Sequence, residues 1–167
     1  MPKIEFRENK ILKLINVLSR KIPENELFSQ DKQIAMLQSW IKAKGYESMG
    51  PLITYSGGVK GVNSDNTPII DSRLMIQLKS SNVRLELPYH FEKEIRIENC
   101  LMARFFDDGD KLQFAISKLT LFAYENDIEL TGETYIIFVN QEGNKVLADV
   151  FMPVKSEEVE DEDLQLS

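Results

Sequence analysis

Cys100-Leu101-Met102-Ala103-Arg104-Phe105-Phe106, followed by Asp107-Asp108-Gly109-Asp110, is the stretch whose reading decides the fold. Its apolar and aromatic run reads as a strand, and the acidic cluster with its glycine reads as a turn. Upstream, Ile95, Ile97, Leu101, Ala103 and Phe105 share one face of a long extended segment, against Glu94, Arg96 and Glu98 on the other. Downstream, Leu112, Ala115, Ile116, Leu119, Phe122 and Ala123 recur at helical spacing, with Asp110 as N-cap and Gln113 placed for a capping box. Thr134 to Val139 is rich in β-formers, Glu142-Gly143-Asn144 is a turn, and Val146 to Val154 forms the hairpin partner. The order is strand, helix, strand, strand.

The first half can be drawn in the same order. Residues 9–22 fit two patterns: Ile11, Leu14, Ile15, Leu18 and Ile22 suit a helical face, while Leu12, Leu14 and Leu18 suit an alternating strand. Lys21-Ile22-Pro23-Glu24-Asn25 breaks either element. A helix comes next, with Ser29 as N-cap, Asp31 in its first turn, and a stripe of Ile34, Leu37 and Ile41 widened by Met36, Trp40 and Ala43. Lys42, Lys44 and Gly45 end it. Leu52 to Tyr55 is a short strand, Ser56 to Pro68 a glycine-rich connection, and alternating runs at Leu74–Leu78 and Val83–Leu87 supply further strands. Two copies of one unit imply a pseudo-symmetric domain with a cleft between its halves, and clefts hold ligands.

A chain of 167 residues, 43% hydrophobic and 28% charged, fits one globular domain over residues 1–155, with pseudo-repeats at about 9–88 and 92–154. The net charge of −7 is mostly terminal. Residues 156–167 carry six carboxylates and no lysine or arginine, so the body holds −7 − (−6) = −1. A near-neutral body offers no basic stripe for phosphates, which argues against direct nucleic-acid binding. The acidic tail reads as a disordered, solubilising end, or as a docking peptide for a basic protein partner. One cysteine excludes an internal disulfide, and Met1 to Glu8 is too charged for a signal peptide, so a cytoplasmic location is the expectation. No run is long and apolar enough to span a bilayer.

Motifs for chemistry are scarce. His90 is the only histidine and Cys100 the only cysteine, which leaves no zinc ligand set. Tyr89-His90-Phe91 after Pro88 reads as a turn with partly buried rings. Asp107, Asp108 and Asp110 lack the distal glutamate of a calcium loop, so no metal is expected. The glycines of residues 56–68 lack the P-loop order, because Lys60 precedes Gly61 with no Ser or Thr directly after the lysine. Aromatic residues at strand ends and on sheet faces (Trp40, Tyr55, Phe106, Phe138 and Phe151 among them) are the better candidates for lining a cleft.

The segment Cys100 to Phe106, the acidic turn, the helix to Tyr124, Thr131-Gly132 before Tyr135 and the closing Met152-Pro153-Val154 together resemble the GyrI-like family. Members serve as effector-binding domains of multidrug-sensing MerR- and AraC-type bacterial transcription regulators, and also occur alone. The resemblance implies an α+β fold of duplicated β-α-β-β units, an antiparallel sheet with two helices on one side and a central cleft, and it makes residues 9–22 a strand. The family carries a glycine, a short spacer and Glu-x-Tyr on the strand after the second helix. Counted from Gly132, those positions fall on Ile136 and Phe138, and Glu133 turns to the opposite face by its odd spacing.

The resulting expectation is a non-catalytic effector-binding domain without cofactor. Its cleft is floored by Ile136 and Phe138 and walled by Trp40, Tyr55, Phe106 and Phe151, and it takes an apolar or neutral small molecule. The alternative is a protein-interaction module whose cleft is filled by its own side chains. Hydrolysis, known in some relatives that use the family glutamate, ranks behind both.

Overall fold

In the computed structural model, which describes residues 3–23, 30–62 and 64–156, the chain runs in the order β1 (Lys3–Lys21), α1 (Gln30–Ala43), β2 (Ile53–Val62), β3 (Pro68–Gln77), β4 (Tyr89–Asp108), α2 (Leu112–Glu125), β5 (Thr134–Glu142) and β6 (Lys145–Pro153). This is the β-α-β-β unit twice over. Every pairing is antiparallel, and the strands close in the order β1-β3-β2-β5-β6-β4. Closure leaves the sheet with an inner face and an outer face, and both helices pack on the outer one.

Three apolar clusters result. Leu37 and Ile41 of α1 meet Leu18, Ile22, Leu74, Ile76 and Leu78. Ala115, Leu119 and Ala123 of α2 meet Leu101, Ala103, Phe105, Val150 and Met152. Inside the closed sheet lie Leu12, Leu14, Val17, Ile53, Tyr55, Met75, Ile95, Cys100, Met102, Tyr135 and Phe151. Burying one leucine or phenylalanine fully stabilises by about 1.5–3 kcal/mol, so each helix is held chiefly by its apolar stripe. Gly45, at φ +76°, ends the α1 segment in the left-handed conformation that glycine adopts without strain.

The ambiguity at residues 9–22 has a physical cause. β1 is 19 residues long and β4 is 20, and both bend. Asn9, Asn16 and Asn99 take positive φ, and the β1–β4 register shifts between Arg7 and Leu12. Each bulge reverses the facing of the residues beyond it. Leu12 and Leu14 point inward, Val17 does too after the Asn16 kink, and Leu18 then turns to α1. Neither a period of two nor one of 3.6 survives that switch.

Several local expectations differ from the structure. The glycine-rich stretch from Ser56 is strand to Val62, accommodated by shifts against β3 at Ser56/Val59 and Val59/Gly61. Val83–Leu87 forms no strand, and Leu87 stands 86% exposed. Tyr89 and His90 open β4 instead of turning, paired with Arg20 and Ser19. Asp110 does not cap α2: it lies in a single 3-10 turn, Gly109–Lys111, and the N-cap Lys111 makes no side-chain cap hydrogen bond. Asp107 instead accepts the Asp108 N–H and faces Lys111 and Lys145 at 4.0 and 3.8 Å, which accounts for its charge without a metal. Ser29 and most of the acidic tail lie outside the described residues.

Candidate functional site

The two repeats meet where β2 pairs β5, with Tyr55 directly opposite Tyr135. Each tyrosine comes just after a threonine, Thr54 and Thr134, so the local pseudo-dyad passes between the two rings. Their centroids are 4.9 Å apart at 57°. The register extends this contact into a row across the inner face: Arg73 opposite Tyr55, Tyr55 opposite Tyr135, Tyr135 opposite Phe151, and Phe151 opposite Met102. Ile53, Met75 and Ile137 lie beside the row and make its surroundings apolar.

One carboxylate joins this row. Glu133 is two residues before Tyr135, and the Tyr55 hydroxyl donates to its Oε2 at 2.7 Å. The Thr131 hydroxyl lies 3.3 Å from Oε1, and the Glu133 N–H donates to the Thr131 hydroxyl at 3.2 Å. Among the described residues the partners of this carboxylate are hydroxyls, with no lysine or arginine paired to it. Under the pseudo-dyad its counterpart is Ile53, fully buried, so this carboxylate is not repeated in the first half.

The tyrosines are tuned to stay protonated. Burial pushes the Tyr55 hydroxyl well above its usual range, reinforced by the hydrogen bond and negative charge of Glu133. Burial likewise pushes Tyr135 up, with the charges of Glu133 and Glu92 adding to it. Both are donors and not bases at neutral pH. Gly57 makes room for this arrangement, since a Cβ there would meet the Tyr55 hydroxyl oxygen at 2.9 Å. Arg73 is a cation beside the row, its guanidinium 5.6 Å from the Tyr55 ring centroid and held by Asp71 through two 3.1 Å contacts. Burial raises the Cys100 thiol, which keeps it protonated, and no three His, Cys, Asp or Glu side chains converge as metal ligands among the described residues.

Of the six residues expected to line the cleft, two lie in the inner row: Tyr55 and Phe151. Ile136 faces the other way and packs with the α2 cluster. Phe138 lines a 330 Å³ cavity with Gln30 and Ile34 of α1, on the helix side. A second cavity there, of 260 Å³, is lined by Ile136, Thr54 and Ile116. Trp40 stacks on Tyr89 at 4.2 Å within the α1 cluster, and Phe106 is 41% exposed near the end of β4. The alternation along β5 is the expected one with its sides inverted: the helix takes Ile136, and the face turned away from Ile136, that of Glu133 and Tyr135, is the seam. The one register shift between β5 and β6 falls beyond these residues, between Phe138 and Asn140. Glu133-Thr134-Tyr135 itself is a Glu-x-Tyr directly after Gly132, and a reading with no spacer finds the site.

No protein-family profile matches the chain, and no curated protein matches it in sequence. Solved structures do. The EcmrR C-terminal domain superposes with a TM-score of 0.62 at 17% identity, over 93% of this chain and 99% of that one. EcmrR in its DNA complex gives 0.60 at 16% identity, over 93% of this chain, which spans 58% of the EcmrR chain. A conserved protein from Listeria innocua gives 0.52 at 12%, over 92% of each chain. Such a likeness is one of fold, and it agrees with the GyrI-like architecture that the sequence resembles.

Proposed function

We propose that this chain is a cytoplasmic small-molecule-binding domain that takes a lipophilic organic cation at Glu133, beside the Tyr55–Tyr135 pair, without turning it over. The observation that carries the reading is a carboxylate on the inner face of the seam, held by hydroxyls, bordered by aromatic rings and, among the described residues, left without a cationic partner. A carboxylate so placed offsets the desolvation of a cation, and a tyrosine face adds about 0.5–2 kcal/mol of cation–π attraction. An apolar or neutral ligand would leave that charge uncompensated. The sequence-based preference for such ligands rests on Ile136 and Phe138 flooring the seam, and those side chains face the helices.

Binding without chemistry is favoured by the protonation states. Tyr55 and Tyr135 hold their protons, the Cys100 thiol is kept neutral, and Glu133 has a hydroxyl on each oxygen instead of a poised water or nucleophile. EcmrR, whose C-terminal domain shares this fold, has been seen bound to DNA, which supports a sensing role beside a DNA-bound protein.

Thermal shift with benzyltrimethylammonium, its neutral isostere neopentylbenzene and the anion phenylacetate tests the preference. The reading expects the ammonium alone to raise the melting temperature in a concentration-dependent way. Equal shifts with the neutral isostere would overturn it.

A further inference from the structure

An arginine stands close to the carboxylate proposed to take a cation, an arrangement that needs explaining. Arg73 lies over the ring of Tyr55, and the hydroxyl of that same ring holds Glu133. A guanidinium carries five donors in a rigid fork and pairs readily with any carboxylate in reach. Left to itself, Arg73 is the cation placed to swing across the Tyr55 ring and neutralise Glu133. Asp71 prevents this. Its two oxygens take Arg73 Nε and Nη2 at 3.1 Å each, a bidentate pair that uses one whole edge of the guanidinium.

Asp71 is itself well placed for the task. It is 8% exposed, its side chain is two residues from Arg73 on the same face of β3, and its Cβ lies 3.3 Å from where a Cβ on Gly57 would stand. The pair therefore sits against the same glycine that admits the Tyr55 hydroxyl. Glu92 contributes a further negative charge felt by both Arg73 and Tyr135.

We propose that Asp71 is a positioning residue: it pins Arg73 and so keeps the Glu133 carboxylate free for a cationic ligand. The proposal rests on the cation-binding reading above, and deepens it by naming what sets the charge of the site. It makes Asp71 necessary for binding although Asp71 touches no ligand, and it makes Arg73 the reason.

The test is a double-mutant cycle read by calorimetry with benzyltrimethylammonium, using Asp71→Asn, Arg73→Met and the double variant. Nuclear Overhauser contacts from the Arg73 Nε–H to the Glu133 side chain are read alongside. Asp71→Asn is expected to weaken binding by about tenfold or more, as a released arginine pairs with Glu133 and must be displaced. The double variant is expected to bind within about threefold of the wild type, which a merely structural role of Asp71 would not restore. The contact from Arg73 to Glu133 should appear in Asp71→Asn only. The proposal is overturned if Asp71→Asn binds as the wild type does, if the double variant stays as weak as Asp71→Asn, or if Arg73 never approaches Glu133. Should no protein bind the ammonium while the new contact still forms, the positioning by Asp71 stands and the cation-binding reading fails.

Discussion

Glu133 and Tyr55 form the contact on which the site depends, and Gly57 is the residue most sensitive to disturbing it. A methyl added at Gly57 meets the Tyr55 hydroxyl at 2.9 Å and Asp71 Cβ at 3.3 Å, so it is crowded by both neighbours at once. Gly57→Ala should therefore push the phenol off Glu133 and weaken cation binding several-fold, roughly the ~1 kcal/mol of one displaced hydrogen bond. Calorimetry on that variant checks it; unchanged affinity would show that the ring is free to move. The two tyrosines also predict a pH dependence. Their folded pKa values lie above the unfolded value near 10, so their contribution to stability is complete below about pH 10 and is lost as pH rises beyond it. Urea midpoints measured from pH 8 upward should fall above about pH 10, and fall less steeply in Tyr55→Phe.

At the scale of elements, β5 separates the helix-side packing from the proposed binding face by alternate residues. Ile136 serves the α2 cluster, while Tyr135 and Ile137 serve the inner face. Ile136→Ala should cost roughly 1–2 kcal/mol of stability, below the range for a fully buried isoleucine because Ile136 is partly exposed, and leave the cation dissociation constant within about twofold. Denaturant titration and calorimetry on one preparation distinguish the two effects. The helices and hairpins of this fold are legible in the sequence because their periods are regular: Leu37 and Ile41 on α1, Ala115, Leu119 and Ala123 on α2, the turn at Gly143. Where strands bend is not legible. Asn9 and Asn99 sit at the register shifts between β1 and β4 and Asn16 at a positive-φ kink; no local pattern announces them, and they disguise β1 as a half-helix. The inverted facing of β5 has a similar origin, since alternation says which residues share a side and never which side meets the helix.

For the molecule as a whole, duplication supplies the frame and an asymmetry within it marks the proposed site. Long β1 and β4 pair along most of their length and close the sheet, so strands wall the inner face while the helices stay outside. The dyad brings Tyr55 and Tyr135 together as equivalents, yet it makes Ile53 the counterpart of Glu133, so the second half alone places a carboxylate at this position of the seam. That body is close to neutral once the terminal carboxylates are set aside, so the proposed attraction for a cation is one local to this seam. The most direct measurement is the dissociation constant of benzyltrimethylammonium for the wild type and for Glu133→Gln, which keeps the shape and removes the charge. The account predicts a loss of at least about tenfold, some 1.4 kcal/mol, with thermal stability maintained. Equal affinity in the two proteins would contradict it.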